Sequence, residues 1–339
     1  MRPQLVFIFP LRRCASNSLR LHLDLHPDIY APYPIHIHDF MHLLPLYGDL
    51  QEDTNYLKLI TDVIGYQNTT LIRWTLINFD PLALFEILKD QPRSIHKIIG
   101  EIYLQAAEKI GAKIVIDKSQ DSVLYAQEIL QLFPSALMID LVRDPRAQVS
   151  SMNNAIIHDF DTILNLQTWI QRRRLMDTLY HQFPQKILTI RYEDFILNQE
   201  WVLQHLCKFL SVNYDCNMMN ISEEAKRMSQ ISSLWENNSS PPITENIDKY
   251  VNNLSMSEIK LIEWNTEPWM LKLNYLLQFP LEKMEITHSM IQESIENNKK
   301  QLVLLPSKIQ KENIKDFIVR NFKTRYLKSI ALVYDLACD

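Results

Sequence analysis

Val6-Phe-Ile-Phe-Pro-Leu-Arg12-Arg13-Cys14-Ala15-Ser16-Asn17-Ser18-Leu19 runs an apolar strand into a basic, hydroxyl-rich turn, and a leucine-bearing helix follows at once. A strand–turn–helix of this kind aims free backbone N–H groups and the positive end of a helix at one point, and both attract a phosphate. Arg12 and Arg13 add fixed charge in a planar fork that donates to two oxygens in parallel. Ser16 and Ser18 offer hydroxyls and Asn17 an amide. The same residues also suit an ordinary polar capping turn with two solvated arginines, so the loop alone leaves both readings open.

Three further short runs rich in Ile, Val and Leu, at 113–116, 136–142 and 186–191, join the first at 4–9 as buried parallel strands. Helical patterns alternate with them: Leu19/Leu23 after the first, Val123/Ala126/Leu130 before the third, Leu203/Leu206 after the fourth. Strand–helix alternation implies a parallel sheet covered on both faces, an α/β three-layer sandwich, with ligands beyond the carboxyl ends of the strands. Residues 41–110 read as a helical insertion that shapes an acceptor pocket. Residues 222–250 turn polar and read as a functional loop. Beyond about Leu281 amphipathic helix patterns, punctuated at Asn298-Lys-Lys and Pro306, suggest a packing or dimerisation appendage. The expected division is therefore 1–280 and 281–339.

At 339 residues, 47% hydrophobic and 22% charged, the chain can bury a sizeable core. A formal net charge of −5 gives no basic field for coating nucleic acid. No apolar run reaches the roughly 18–20 residues that span a bilayer. The amino terminus enters a strand without signal-peptide regions, so a cytoplasmic address is expected. Cys14, Cys207, Cys216 and Cys338 show neither metal-like nor disulfide-framework spacing, and reduced thiols are expected.

The third strand runs into Arg143-Asp144-Pro145-Arg146-Ala-Gln-Val-Ser-Ser151. Pro145 suits a first helical turn, and Ser151 follows Arg143 by eight residues, about two turns. A second phosphate could sit there; a salt bridge of Arg143 to Asp140 or Asp144 is the alternative.

The two segments together, in this order, resemble the sulfotransferases that use 3′-phosphoadenosine 5′-phosphosulfate. In that family a basic-Ser-Gly-Thr-Thr loop follows the first strand, with His-Pro about a dozen residues on; here Arg13-Cys-Ala-Ser-Asn-Ser is followed by His26-Pro27. The family's second motif, Arg-(Asp/Asn)-Pro-(Arg/Lys) with a later Ser, is matched by Arg143 to Ser151. Asp117-Lys118-Ser119 and Arg191-Tyr-Glu-Asp194 are similar to two further family segments, so the likeness spans roughly residues 4–275. Ala15 stands where the family has Gly, Cys14 where it has Ser, and Asn17 where it has the second Thr. The absence of a Gly-x4-Gly-Lys loop counts against an ATP-dependent kinase, which stays open beside a non-catalytic nucleotide-binding protein.

The resemblance implies a P-loop-like fold and sulfuryl transfer to a hydroxyl on a small molecule or carbohydrate, with adenosine 3′,5′-bisphosphate as product and no metal. Arg12, Arg13, Cys14, Ala15, Ser16, Asn17 and Ser18 would hold the 5′ phosphosulfate, and Arg143 and Ser151 the 3′ phosphate. Lys118 would neutralise charge on the transferring group. His36, His38 and Asp39, in Ala31-Pro-Tyr-Pro-Ile-His-Ile-His-Asp39, are the candidate bases, His36 first; if extended, this stretch puts both histidines on one face. Trp235, Asn237, Asn238 and the pair Arg73-Trp74 are further candidates for donor or acceptor contact.

Overall fold

A computed structural model describes residues 2–69, 72, 74, 77–312 and 314–336; Arg73 and Cys338 lie outside them. Five strands form one wholly parallel sheet: β1 (Gln4–Pro10), β2 (Ile29–Tyr30), β3 (Ile114–Asp117), β4 (Leu137–Val142) and β5 (Ile187–Arg191), in the order β2-β3-β1-β4-β5. The four expected strands are all present. The two-residue β2 carries too short a pattern to be read in advance.

Alternation along β1 divides the core. Leu5, Phe7 and Phe9 enter one apolar cluster, and Val6 and Ile8 enter another on the opposite face, as the period of two requires. The first face is covered largely by helices from between β2 and β3: α2 (Asp53–Asn68), α3 (Pro81–Leu88) and α4 (Ile95–Ile110). The second is covered by α1 (Ser16–Leu23) and a helix after β5. Three layers result.

The remaining helices are α5 (Ala126–Leu132), α6 (Pro145–Asn153), α7 (Thr162–Gln182), α8 (Tyr192–Leu197), α9 (Gln199–Phe209), α10 (Glu223–Ser229), α11 (Tyr250–Asn253), α12 (Met256–Lys272), α13 (His288–Glu312) and α14 (Ile314–Leu336). Pro306, read from sequence as a break, lies within α13. From the carboxy-terminal pair, Ile330 is buried in the main core and Tyr326 and Leu327 pack against it. Asn298 on α13 donates to Asp159 Oδ1 at 2.6 Å and accepts from Phe160 N–H at 2.8 Å. No helix among the described residues is long and apolar enough to cross a membrane.

Register sets the functional edge. Phe7 pairs with Asp117 of β3, and Pro10 pairs with Leu141 of β4. The chain leaving β1, β3 and β4 therefore delivers Arg12–Ser18, Lys118 and Arg143 to the same end of the sheet.

Candidate active site

The loop after β1 opens α1 with no side-chain cap. Ala15 occupies the cap position in the left-handed region, φ 59°, ψ 22°. Glycine enters this region without penalty, whereas Ala15 holds it against the steric cost of its methyl group. Arg13, at φ 68°, is left-handed too. No side chain caps this first turn, and Ser16, Asn17 and Ser18 all line the cleft.

Arg13 Nε donates to Ser151 Oγ at 3.2 Å, and Arg143 Nη1 donates to the Arg13 carbonyl at 2.9 Å. Burial and the neighbouring Arg143 both lower the Arg13 pKa. The alternative salt bridges for Arg143 are already taken. Asp140 is held by Arg173 at 2.6 and 2.9 Å. Asp144 caps α6 through Arg146 N–H at 2.9 Å and accepts Arg146 Nη2 at 2.6 Å, while Arg146 also bonds Glu263. Arg143 instead lies 4.2 Å from the centre of the Tyr192 ring, donates Nη2 to the Asn246 carbonyl at 2.6 Å, and keeps a buried Nε with no partner among the described residues.

Tyr192 belongs to the Tyr-Glu-Asp segment, and its neighbour Glu193 explains the segment's position. Glu193 accepts from Asp144 N–H at 3.0 Å and from Tyr275 Oη at 2.7 Å. It thereby fixes the start of α6, from which Ser151 is presented.

Lys118 leaves β3 into the cleft, buried, with no hydrogen bond or ion pair among the described residues. Burial first, then Arg20 and Arg12, lower its pKa to about 7. Ser16 is held by Gln120 Nε2 at 2.5 Å, and Arg12 is paired with Asp121 at 2.6 Å. Asn17 accepts from Arg20 Nε at 3.3 Å. Cys14 does not share the cleft: its Sγ lies 2.8 Å from the Leu11 carbonyl in the core, and burial pushes the thiol up to about 12. Only its backbone belongs to the loop.

The expected extended stretch at 36–39 is a correction. His36, at φ 57°, starts a 3₁₀ helix over Ile37–Tyr47, so His36 and His38 do not share a face. His36 is half-buried on the cleft wall, its ring 5.7 Å from Tyr33, whose ring in turn lies 5.7 Å from Trp235. His38 turns away to Tyr125 Oη at 3.0 Å. Asp39 lines the cleft but is paired with Lys323 at 3.0 Å. Burial, then Lys323, Lys118 and Arg12, push the His36 pKa well below its usual value, leaving a neutral imidazole at neutral pH.

The cleft measures about 1060 Å³. Trp235, Asn237 and Asn238 line it, and so do residues that sequence reasoning missed: Asn246, Lys249, Leu305, Ile309, Lys323 and Leu327. No local signal marks them; Lys323 reaches the Ile35 carbonyl at 3.3 Å across a separation of 288 residues. Among the described residues no group of three His, Cys, Asp or Glu is placed to hold a metal ion.

The arrangement is a positive, partly desolvated cavity suited to a multiply charged anion, with a neutral imidazole on one wall. A model of the sulfotransferase family matches residues 3–216. The fold is similar to the sulfotransferase domain of the Synechococcus PCC 7002 olefin synthase, with a TM-score of 0.58 and 20% identity over 81% of this chain and 96% of that one. It is also similar to the sulfotransferase domain from the curacin biosynthetic pathway, with a TM-score of 0.52 and 20% identity over 81% of this chain and 99% of that one. No curated protein gives a significant sequence match.

Proposed function

The chain belongs to the sulfotransferase family, and on that premise we propose that it moves a sulfuryl group from 3′-phosphoadenosine 5′-phosphosulfate to an acceptor hydroxyl. Arg13, Ser16, Asn17 and Ser18 hold the 5′ phosphosulfate end; Arg143 and Ser151 hold the 3′ phosphate. The observation that carries the reading is the bridge Arg143–Arg13–Ser151, in which two arginines converge with no carboxylate between them. The residues fit such a donor, because Arg143 Nε is a buried donor with no partner among the described residues, and Lys118, a largely buried residue, lines the cleft with no hydrogen bond or ion pair among them.

The donor, when bound, supplies the sulfuryl group and a stable leaving group. The chain supplies position and charge. Arg13 and Lys118 offset negative charge on the transferring group, the kind of fixed electrostatic aid that phosphoryl-type transfer depends on. His36 receives the acceptor's proton, which its neutral state permits. In this reading no metal takes part, the acceptor is a small-molecule or carbohydrate hydroxyl, and the enzyme works in the cytoplasm, where reduced thiols suit Cys14, Cys207 and Cys216.

Calorimetric titration with adenosine 3′,5′-bisphosphate against ATP tests the reading. Preference for the bisphosphate is expected, and Arg143→Ala is expected to weaken it by about 1.5–3 kcal/mol, the worth of a charge-assisted hydrogen bond. Equal or tighter binding of ATP would overturn the assignment. Separately, His36→Ala is expected to abolish turnover and spare bisphosphate binding.

A further inference from the structure

The wall that meets His36 from the carboxy-terminal side differs in chemistry from the donor loops. Leu305 and Ile309 lie one helical turn apart on α13, and Lys323 and Leu327 one turn apart on α14; each pair therefore shares a helix face. All four line the cleft, with Ile156 and Ile157 from the loop after α6. That loop is pinned to α13 through Asn298, which bonds both Asp159 and Phe160. The face of α14 that carries Leu327 is the one whose Lys323 is tied to Ile35 and Asp39 beside His36. An aliphatic lane thus leads from the candidate base along α14 to α13.

We propose that the acceptor is a hydroxylated aliphatic chain, with its hydroxyl at His36 and its methylenes along Leu327, Leu305, Ile309, Ile156 and Ile157. The proposal rests on the sulfotransferase reading of the same cleft and names its acceptor class. A sugar laid on this lane would strip water from hydroxyls that these five side chains cannot replace. An alkyl chain gains at every methylene.

The full chain is assayed with the phosphosulfate donor and straight-chain alcohols from butanol to decanol, against N-acetylglucosamine, while alcohol binding is followed separately by calorimetry without donor. Expected is a rise in affinity and in kcat/KM of up to about fourfold per added methylene, the factor that burial of a CH₂ supplies, with the sugar inert. Leu327→Asp is expected to cut decanol kcat/KM at least tenfold and leave the bisphosphate Kd unchanged. Should Leu327→Asp not fold, Thr324→Asp, on an exposed turn of the same wall, is expected to act in the same direction. Affinity independent of chain length, or turnover of the sugar in preference to decanol, overturns the proposal. Failure of the bisphosphate to bind while alcohols bind with chain-length dependence overturns the sulfotransferase reading and leaves the lane standing.

Discussion

Arg13, Ala15 and His36 are three of the five non-glycine residues with positive φ among the described residues, and all three line the cleft. Backbone strain of this kind persists where the surroundings enforce it, and it collects at functional sites. For Ala15→Gly the relief of left-handed strain, about 1–2 kcal/mol, outweighs glycine's extra unfolded entropy of roughly 0.5–1 kcal/mol. Urea unfolding is therefore expected to show unchanged or slightly higher stability. A loss above about 1 kcal/mol would contradict the geometry.

Lys118 gives a pH signature. Its pKa is near 7 in the free protein, and a bound anion raises it. Binding of the bisphosphate above about pH 7 therefore takes up a proton, and affinity falls as pH rises from 7 toward the ordinary lysine value. Calorimetry in buffers of different ionisation enthalpy measures that uptake, which Lys118→Met is expected to remove. The same group costs the free fold stability in full below about pH 7, a cost relieved as pH rises. For His36 the sign is opposite to a raised histidine: its lowered pKa keeps it neutral through mild acid, so the acid limb of kcat/KM lies below 6.5. Lys323→Met removes the largest charge contribution after burial and leaves Asp39 unpaired, so the limb is expected to move upward. An unmoved limb would take Lys323 out of the base's surroundings.

At the scale of elements, the strands and both basic segments that reach the cleft were legible because their signals are local: a run of β-branched residues, a basic turn, a proline at a helix start. The roles within Arg143-Asp-Pro-Arg were not. Asp144 and Arg146 turned out to be a cap and a clamp to Glu263, and only the removal of Asp140 and Asp144 as partners leaves Arg143 to the cleft. Sequence spacing cannot show which carboxylate wins a guanidinium. His38 does not share a face with His36 because a 3₁₀ start at His36 breaks the period of two that a shared face requires.

The docking of α14 on α2 has a sharp point of contact. A Cβ placed on Gly65 would meet Tyr326 Oη at 1.8 Å, and Tyr326 Oη also donates to the Asp62 carbonyl at 3.2 Å. Gly65→Ala is expected to cost about 1–3 kcal/mol, as overpacking does, and to lower turnover by displacing Lys323 and Leu327. The bisphosphate Kd should hold. A loss of donor affinity equal to the loss of turnover would mean that α14 does not act on the acceptor side alone.

Taken as a whole, the molecule is formally acidic at −5, yet its cleft is lined by Arg12, Arg13, Lys118, Arg143, Lys249 and Lys323. A cavity whose cations outnumber its one lining carboxylate among the described residues, Asp39, inside a body of net negative charge draws an anionic ligand to one place. Because that ligand would bind only the folded chain, bisphosphate at 100 times its Kd is expected to stabilise it by about 2.7 kcal/mol. For a chain of this length that is a rise in Tm of about 4 °C. Differential scanning calorimetry reads it, and an unchanged Tm would contradict the site.

The long reach of Lys323 to the Ile35 carbonyl also orders events during synthesis. The family-matched residues end at 216, and at about 5–20 residues per second the ribosome needs roughly 5–20 s more to deliver Lys323. Throughout that interval a nascent chain can have both arginine loops in place but lacks the part of the cleft wall that Lys323 and Leu327 supply. On the reading proposed above, competence to grip a nucleotide would precede competence to use it, because α14 follows both arginine loops off the ribosome.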